Sequence, residues 1–128
     1  MSDTVTRGIR ITVKPRYVAE QSDPDARQYL FAYHITIRNQ SDDTVQLLSR
    51  HWVITNGEGQ VEEVRGPGVV GYQPVLEPGA DFEYTSGCPL TTPVGTMHGE
   101  FNMVVKASGV HFDAQIEPFR LAIPRVLN

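Results

Sequence analysis

The sequence has one cysteine, no long apolar run and no cluster of basic residues. A single cysteine, Cys88, cannot form a disulfide within the chain. The N-terminal sequence MSDTVTRG lacks the basic and apolar regions of a secretory signal. The apolar runs are only a few residues long, whereas a membrane-spanning helix needs about 20. These absences predict a cytoplasmic protein that does not enter a membrane.

The charge balance also argues against a nucleic-acid-binding protein. Lysine and arginine total 11 and aspartate and glutamate total 15, a formal net charge of -4 at pH 7. The basic residues are scattered singly between Arg7 and Arg125. Because binding through nucleic-acid phosphates needs a concentrated positive surface, we expect no nucleic-acid partner.

The length and composition are those of one globular domain. The chain has 128 residues, of which 40% are hydrophobic, enough apolar material for a core. No internal repeat or low-complexity segment divides it. We therefore expect a single domain over residues 1–128, with a core at about 7–124 and short flexible ends.

Apolar and polar residues alternate through most of the chain, which is the period of a half-buried β-strand. No segment shows the i, i+3, i+4, i+7 spacing of an amphipathic helix. The alternation predicts strands in segments 9–14, 28–39, 44–55, 60–64, 81–87, 99–107 and 110–124. In the second of these, five apolar residues share a face that we expect to lie in the core: Tyr29, Phe31, Tyr33, Ile35 and Ile37.

Turn residues predict how these strands are connected. The alternation slips near Leu47 and Leu48, which indicates a β-bulge. The Asn56-Gly57 pair predicts a hairpin, and Ser108-Gly109 separates the last two strands. Three prolines exclude a long helix or a central strand from segment 66–79, which we expect to be a loop with at most a short edge strand.

About seven or more short antiparallel strands, separated by turn signals, favour an immunoglobulin-like or fibronectin type III-like β-sandwich. The chain lacks the paired cysteines of antibody domains, so aromatic packing would hold its core. Trp52 has two interpretations. It is either a core residue, with Arg50 on its side of the strand and His51 on the other, or the centre of an interface formed by Arg50, His51 and Trp52, since tryptophan and arginine often anchor interfaces.

The stretch VRGPGVVGYQP contains Gly66, Gly68 and Gly71 in the spacing G-x-G-x-x-G. In dinucleotide-binding proteins such glycines open a helix whose N-terminus binds the pyrophosphate. The residues after Gly71 are poor helix formers, and Arg65 alone would attract a phosphate. The motif therefore predicts a turn shaped by its glycines, and an extended backbone after Gly71 would argue against phosphate binding.

No group of residues has the pattern of a catalytic or metal centre. The four histidines, His34, His51, His98 and His111, show no ligand spacing such as H-x-x-x-H. Cys88 has no activating base beside it in the sequence, and no G-x-S-x-G motif occurs. We expect no catalytic residue, no metal, no cofactor and no enzymatic activity.

Three segments, VQLLSRHWVITNGEGQVEEVRGPGVVGYQPVLEPGADFEYTSG, TPVGTMHGEF and PFRLAIP, match a known family in the same order, and the match covers nearly the whole chain. On these segments the chain resembles the bacterial ApaG (CorD) proteins. The resemblance implies a fibronectin type III-like sandwich of which the glycine motif is a part. The family is linked by name to cobalt resistance and magnesium efflux, without a known reaction. Related domains in F-box proteins and in a polymerase-delta-interacting protein look like interaction modules.

The sequence and the resemblance together favour a non-enzymatic module that binds an unidentified protein through segment 66–74. The candidate loop residues are Arg65, Gly66, Gly68, Gly71 and Tyr72. The alternative is a sensor that binds a phosphate compound or a divalent cation. Exposed sandwich edges also allow a homodimer.

Overall fold

Nine β-strands form the computed structural model, which describes residues 1–124. Within these residues there is no α-helix, only single 3-10 turns at Ala19–Gln21 and Pro24–Ala26, and no helix that is long and apolar enough to span a bilayer. The prediction of an all-β domain is confirmed. The strands are β1 (Ser2–Thr6), β2 (Ile9–Tyr17), β3 (Tyr29–Asn39), β4 (Val45–Asn56), β5 (Val61–Pro67), β6 (Val75–Leu76), β7 (Asp81–Leu90), β8 (Val94–Val105) and β9 (His111–Ala122).

The strands pack as two antiparallel sheets. The first sheet has the order β1-β2-β3-β7, and the second has the order β5-β4-β8-β9, with β6 pairing to the start of β4. Strands that are neighbours in a sheet are therefore often distant in sequence, as in the immunoglobulin and fibronectin type III sandwiches. This confirms the predicted fold class.

The inner faces of the two sheets form one hydrophobic core. The predicted face of β3 is buried at Phe31, Tyr33, Ile35 and Ile37, and the alternating apolar residues of β2, β8 and β9 meet it from both sheets. Each of these strands follows the period-two pattern because every second side chain points into the space between the sheets.

Both irregularities predicted around β4 are present. The register against β8 shifts between Leu47 and Ser49, which confirms the bulge. The hairpin after Asn56 is also confirmed, because the Asn56 carboxamide oxygen accepts hydrogen bonds from the N–H groups of Glu58 (2.9 Å) and Gln60 (3.0 Å). The left-handed residue of that turn is Gly59, with φ +80°.

The flexible N-terminal end expected before residue 7 is wrong. Ser2–Thr6 is strand β1, paired to β2, and the hydroxyl of Thr6 accepts a hydrogen bond from the backbone of β9 (3.1 Å). The alternation missed this strand because its one aliphatic residue, Val5, points to solvent and is 56% exposed. The C-terminal end lies outside the described residues.

The two sides of the sandwich differ. On one side β1 and β9 pack together. On the other side, a groove of about 270 Å³ separates β5 from β7, which are edge strands of different sheets. The sandwich is therefore closed at one pair of edges and open at the other.

Candidate functional site

Segment 66–74, between β5 and β6, folds back on itself as a tight turn. Val69 and Tyr72 exchange two backbone hydrogen bonds of 2.8 Å, and the two residues between them have φ +43° (Val70) and φ +85° (Gly71). Two successive left-handed residues between two residues that pair as an isolated antiparallel bridge form a type I′ turn. Beyond Gly71 the chain continues to β6 with no helix, so the helix N-terminus that would hold a phosphate is absent.

The glycines of this segment are explained by the turn and by Arg50. Gly68 has φ +59°, and a Cβ there would lie closer than 3.0 Å to the Tyr72 carbonyl oxygen. A Cβ at Gly66 would lie 2.9 Å from Nη1 of Arg50. That nitrogen donates to the carbonyl oxygens of Pro67 (2.9 Å) and Gly68 (3.0 Å), so Arg50 fixes the start of the turn.

The turn exposes an apolar pair, Val70 and Tyr72, which we call the loop tip. Val70 is 50% exposed and Tyr72 is 61% exposed, whereas Val69 beside them is completely buried. The Tyr72 ring also lies 5.9 Å from the Phe82 ring of β7. The loop tip is therefore held in place by its neighbours and still faces solvent. Arg65, the basic residue of the predicted loop, has an exposed side chain.

Strand β4 separates the three residues of the predicted interface. Trp52 is 2% exposed and meets the rings of Tyr33 (5.4 Å), Phe101 (6.1 Å) and Phe119 (6.0 Å) edge-on. The core interpretation of Trp52 is confirmed. Arg50 lies on the same face of the strand and borders the groove between the sheets. His51 lies on the opposite, outer face.

The outer face of the second sheet contains a hydrogen-bonded cluster around His51. Its Nδ1 lies 2.7 Å from a carboxylate oxygen of Glu100 on β8, and its Nε2 lies 2.8 Å from one of Glu63 on β5. The His51 side chain is 15% exposed. A hollow of about 520 Å³ borders this cluster. No local sequence pattern indicates Glu63 and Glu100 as neighbours of His51, because only the pairing of β4 with both β5 and β8 brings them to it.

We expect the His51 cluster to make stability depend on pH. The hydrogen bonds to Glu100 and then to Glu63 raise the pKa of His51 above its ordinary value. Its stabilising contribution is therefore complete below the unfolded-state pKa and is lost as the pH rises through the folded-state pKa. Urea unfolding of the wild type and of His51→Gln should show a free-energy difference that shrinks between about pH 6 and pH 9.

His98→Gln is the matched control for this experiment, since His98 lies exposed on β8. The difference between wild type and His98→Gln should change less with pH over the same range. A His51→Gln difference that is constant or grows with rising pH would contradict the assignment.

Cys88 is a buried thiol, 2% exposed. Burial, and then the negative charge of Glu62, raise the pKa of Cys88 to about 11. A nucleophilic cysteine needs the opposite shift, because its thiolate is the reactive form. The environment of Cys88 therefore disfavours the thiolate form.

The other histidines are dispersed over the sandwich. His34 lies 2.8 Å from the Thr85 hydroxyl and 3.1 Å from the Glu83 carboxylate, and His111 lies 3.2 Å from the Asn102 carboxamide oxygen. In the part of the chain that the structure describes, no group of three histidine, cysteine, aspartate or glutamate residues, the His51 cluster included, is arranged so that it could hold a metal ion.

Known proteins share this sandwich. A family model described as the ApaG domain matches residues 19–105, which include the turn and all of β4 and β5. The chain belongs to the ApaG family. It is 55% identical to the protein ApaG of Rhodospirillum centenum over 124 residues, covering 97% of this chain and 95% of that one.

Solved structures agree with this membership. A crystal structure from Bordetella pertussis, described as an ApaA protein, is 54% identical and superposes with a TM-score of 0.89 over 92% of this chain and 95% of that one. The C-terminal domain of wzt is 9% identical, with a TM-score of 0.53 over 95% of this chain and 77% of that one, and it shows a shared fold alone.

Proposed function

We propose that this ApaG family member is a non-enzymatic protein-interaction module that presents the loop tip to a protein partner. The observation that supports this most is the backbone of Val70. A β-branched residue at φ +43° is a conformational outlier that costs about 1–3 kcal/mol. Half of the side chain is exposed, so burial in the core offsets little of that cost. Such outliers are concentrated at functional positions.

The residues around the loop tip hold it in a fixed, protruding conformation that could insert into a pocket of a partner. Arg50 binds the turn from within the sandwich and Phe82 supports the Tyr72 ring, so few rotamers would have to be ordered on binding. Tyrosine is one of the residues that most often dominate interface energies. The partner would supply an apolar pocket that receives Val70 and Tyr72.

The test compares stability with partner capture in one variant. Val70→Asn places a residue that tolerates the left-handed region before Gly71, and Asn-Gly is the preferred type I′ pair. We expect this change to raise the free energy of unfolding by about 1 kcal/mol and to reduce capture of the specific partner by about tenfold or more. Urea unfolding and quantitative capture on immobilised protein measure the two effects.

Val5→Asn is the control, because Val5 is similarly exposed (56%) and lies on β1, away from the open side. It should capture the partner as the wild type does, and Tyr72→Ala should lose it. A Val70→Asn protein that is stably folded and captures the partner at wild-type level would refute the proposal.

In this proposal, the protein partner would carry out the cobalt resistance and magnesium efflux to which the family is linked by name. A partner is the simpler explanation because no three histidine, cysteine, aspartate or glutamate side chains of the described residues are placed so that they could hold a metal ion. A thermal-shift assay distinguishes this proposal from the alternative of a divalent-cation sensor. For a sensor, a cation at a hundred times its Kd should add about 2.7 kcal/mol of stability. We expect Mg²⁺ and Co²⁺ to add none.

A further inference from the structure

The groove between β5 and β7 combines polar and apolar walls. Its volume is about 270 Å³, enough for a small organic molecule. Arg50 and Ser86 contribute polar groups, and Trp52 contributes its indole. The apolar part of the wall is formed by Ile54, Val64, Met97 and Pro89.

One residue of the groove wall, Trp52, has a buried donor without a partner. Within residues 1–124, Trp52 Nε1 and the Tyr84 hydroxyl are the buried side-chain nitrogen and oxygen atoms without a hydrogen bond. Trp52 lines the groove, and Tyr84 is buried on β7. A buried polar group without a partner costs about 1–3 kcal/mol, so the Trp52 N–H is an unsatisfied donor in the wall of the groove.

The hydrogen-bonding capacity of the Arg50 guanidinium is only partly used. Its Nη1 is used by the carbonyl oxygens of the turn, and Arg50 forms no salt bridge with another residue of the described chain. Nε and Nη2 form the remaining edge of the guanidinium, which matches a carboxylate in a bidentate pair. Arg50 and Trp52 are two residues apart on one face of β4, about 7 Å, so both can reach one ligand.

The two ends of the groove differ in charge. Arg50 lies against Gly66, and Glu62 lines the other end, four residues and about 13 Å away along β5. One arginine can neutralise a single negative charge. A phosphate carries nearly two negative charges, and the carboxylate of Glu62 would repel the second one. We propose that this groove binds a monocarboxylate whose carboxylate pairs with Arg50 and whose apolar body lies along Trp52, Val64 and Ile54.

Hexanoate is a suitable probe, and the single tryptophan of the sequence gives one indole N–H signal in a ¹H–¹⁵N correlation spectrum. Titration with hexanoate should shift the Trp52 indole signal to saturation. Hexan-1-ol and hexylamine carry the same chain without the carboxylate and should bind about tenfold or more weakly. Because this comparison uses the wild-type protein, it does not depend on the folding of a variant.

Two variants locate the carboxylate. Arg50→Gln should weaken hexanoate binding by about tenfold or more, and Glu62→Gln, at the other end of the groove, should leave it equal or tighter. An acetylated tripeptide ending in leucine with a free carboxylate, titrated beside its C-terminal amide, tests whether the carboxylate comes from a peptide terminus, and the tighter of the two acids identifies the source.

Three results would overturn the proposal. They are the lack of a saturable shift with either acid, equal affinity for hexanoate and hexan-1-ol, and unchanged hexanoate binding in a folded Arg50→Gln protein. Because the loop tip is not part of the groove, loss of partner capture in the loop variants neither supports nor contradicts this site.

Discussion

Replacing Trp52 with alanine should lower the free energy of unfolding by about 4 kcal/mol, within the range for truncating a buried aromatic residue. The indole is 2% exposed and touches aromatic rings from both sheets, Tyr33 on β3 and Phe101 on β8. Its removal would leave a cavity in the middle of the sandwich. Since domains of this kind are stable by about 5–15 kcal/mol, urea unfolding should show a large decrease in midpoint.

Trp52→Phe is the informative control for this prediction. It keeps an aromatic ring against Tyr33 and Phe101 and removes the indole N–H that lacks a partner. Eliminating an unsatisfied donor offsets part of the lost packing, so we expect Trp52→Phe to cost less than half as much as Trp52→Ala. Equal losses in the two variants would show that the aromatic packing around Trp52 contributes little.

Substituting Gly99 with alanine should be the most damaging single-methyl change in the sandwich, with a cost of about 3 kcal/mol or more. Gly99 lies opposite Trp52 in the β4–β8 pairing, at a register shift of β8 against β9. A Cβ there would lie closer than 3.0 Å to the carbonyl oxygen of His51. A backbone atom between two paired strands cannot move aside as a side chain can, so β4 and β8 would have to separate.

Gly59→Ala is the matched comparison. Gly59 has φ +80° but open space around its Cα. Alanine there should therefore lower the free energy of unfolding only by the strain of the left-handed conformation, about 1–2 kcal/mol. Urea unfolding of both variants separates conformational strain from steric overlap. If Gly99→Ala cost no more than Gly59→Ala, the close approach of β4 and β8 at this position would be disproved.

Much of the local structure could be predicted from the chain. The alternation of β3 placed Phe31, Tyr33, Ile35 and Ile37 in the core, and they are buried. The slip at Leu47 and Leu48 predicted the bulge. These predictions held because side-chain alternation and turn preferences depend on neighbouring residues. Strand β1 was missed because its own residues are mostly polar and its stability comes from pairing with β2, which a local pattern does not show.

The candidate sites depended on contacts between distant segments. The alternation of β4 correctly placed Arg50 and Trp52 on one face and His51 on the other. It could not show that Glu100, 49 residues away in sequence, lies 2.7 Å from His51, or that Arg50 donates to the carbonyl oxygen of Gly68. Both contacts require the strand order of the second sheet.

The sequence by itself determined the all-β class, the inward faces of the main strands and the absence of a helix after Gly71, because each depends on the period and turn preferences of a short segment. The tertiary structure decided which strands became neighbours, and with them the His51 cluster, the strained loop tip and the open groove at β5 and β7. Those features form where segments that are far apart in the chain come into contact. A period of two is compatible with many strand pairings, and long-range packing determines which of these pairings forms.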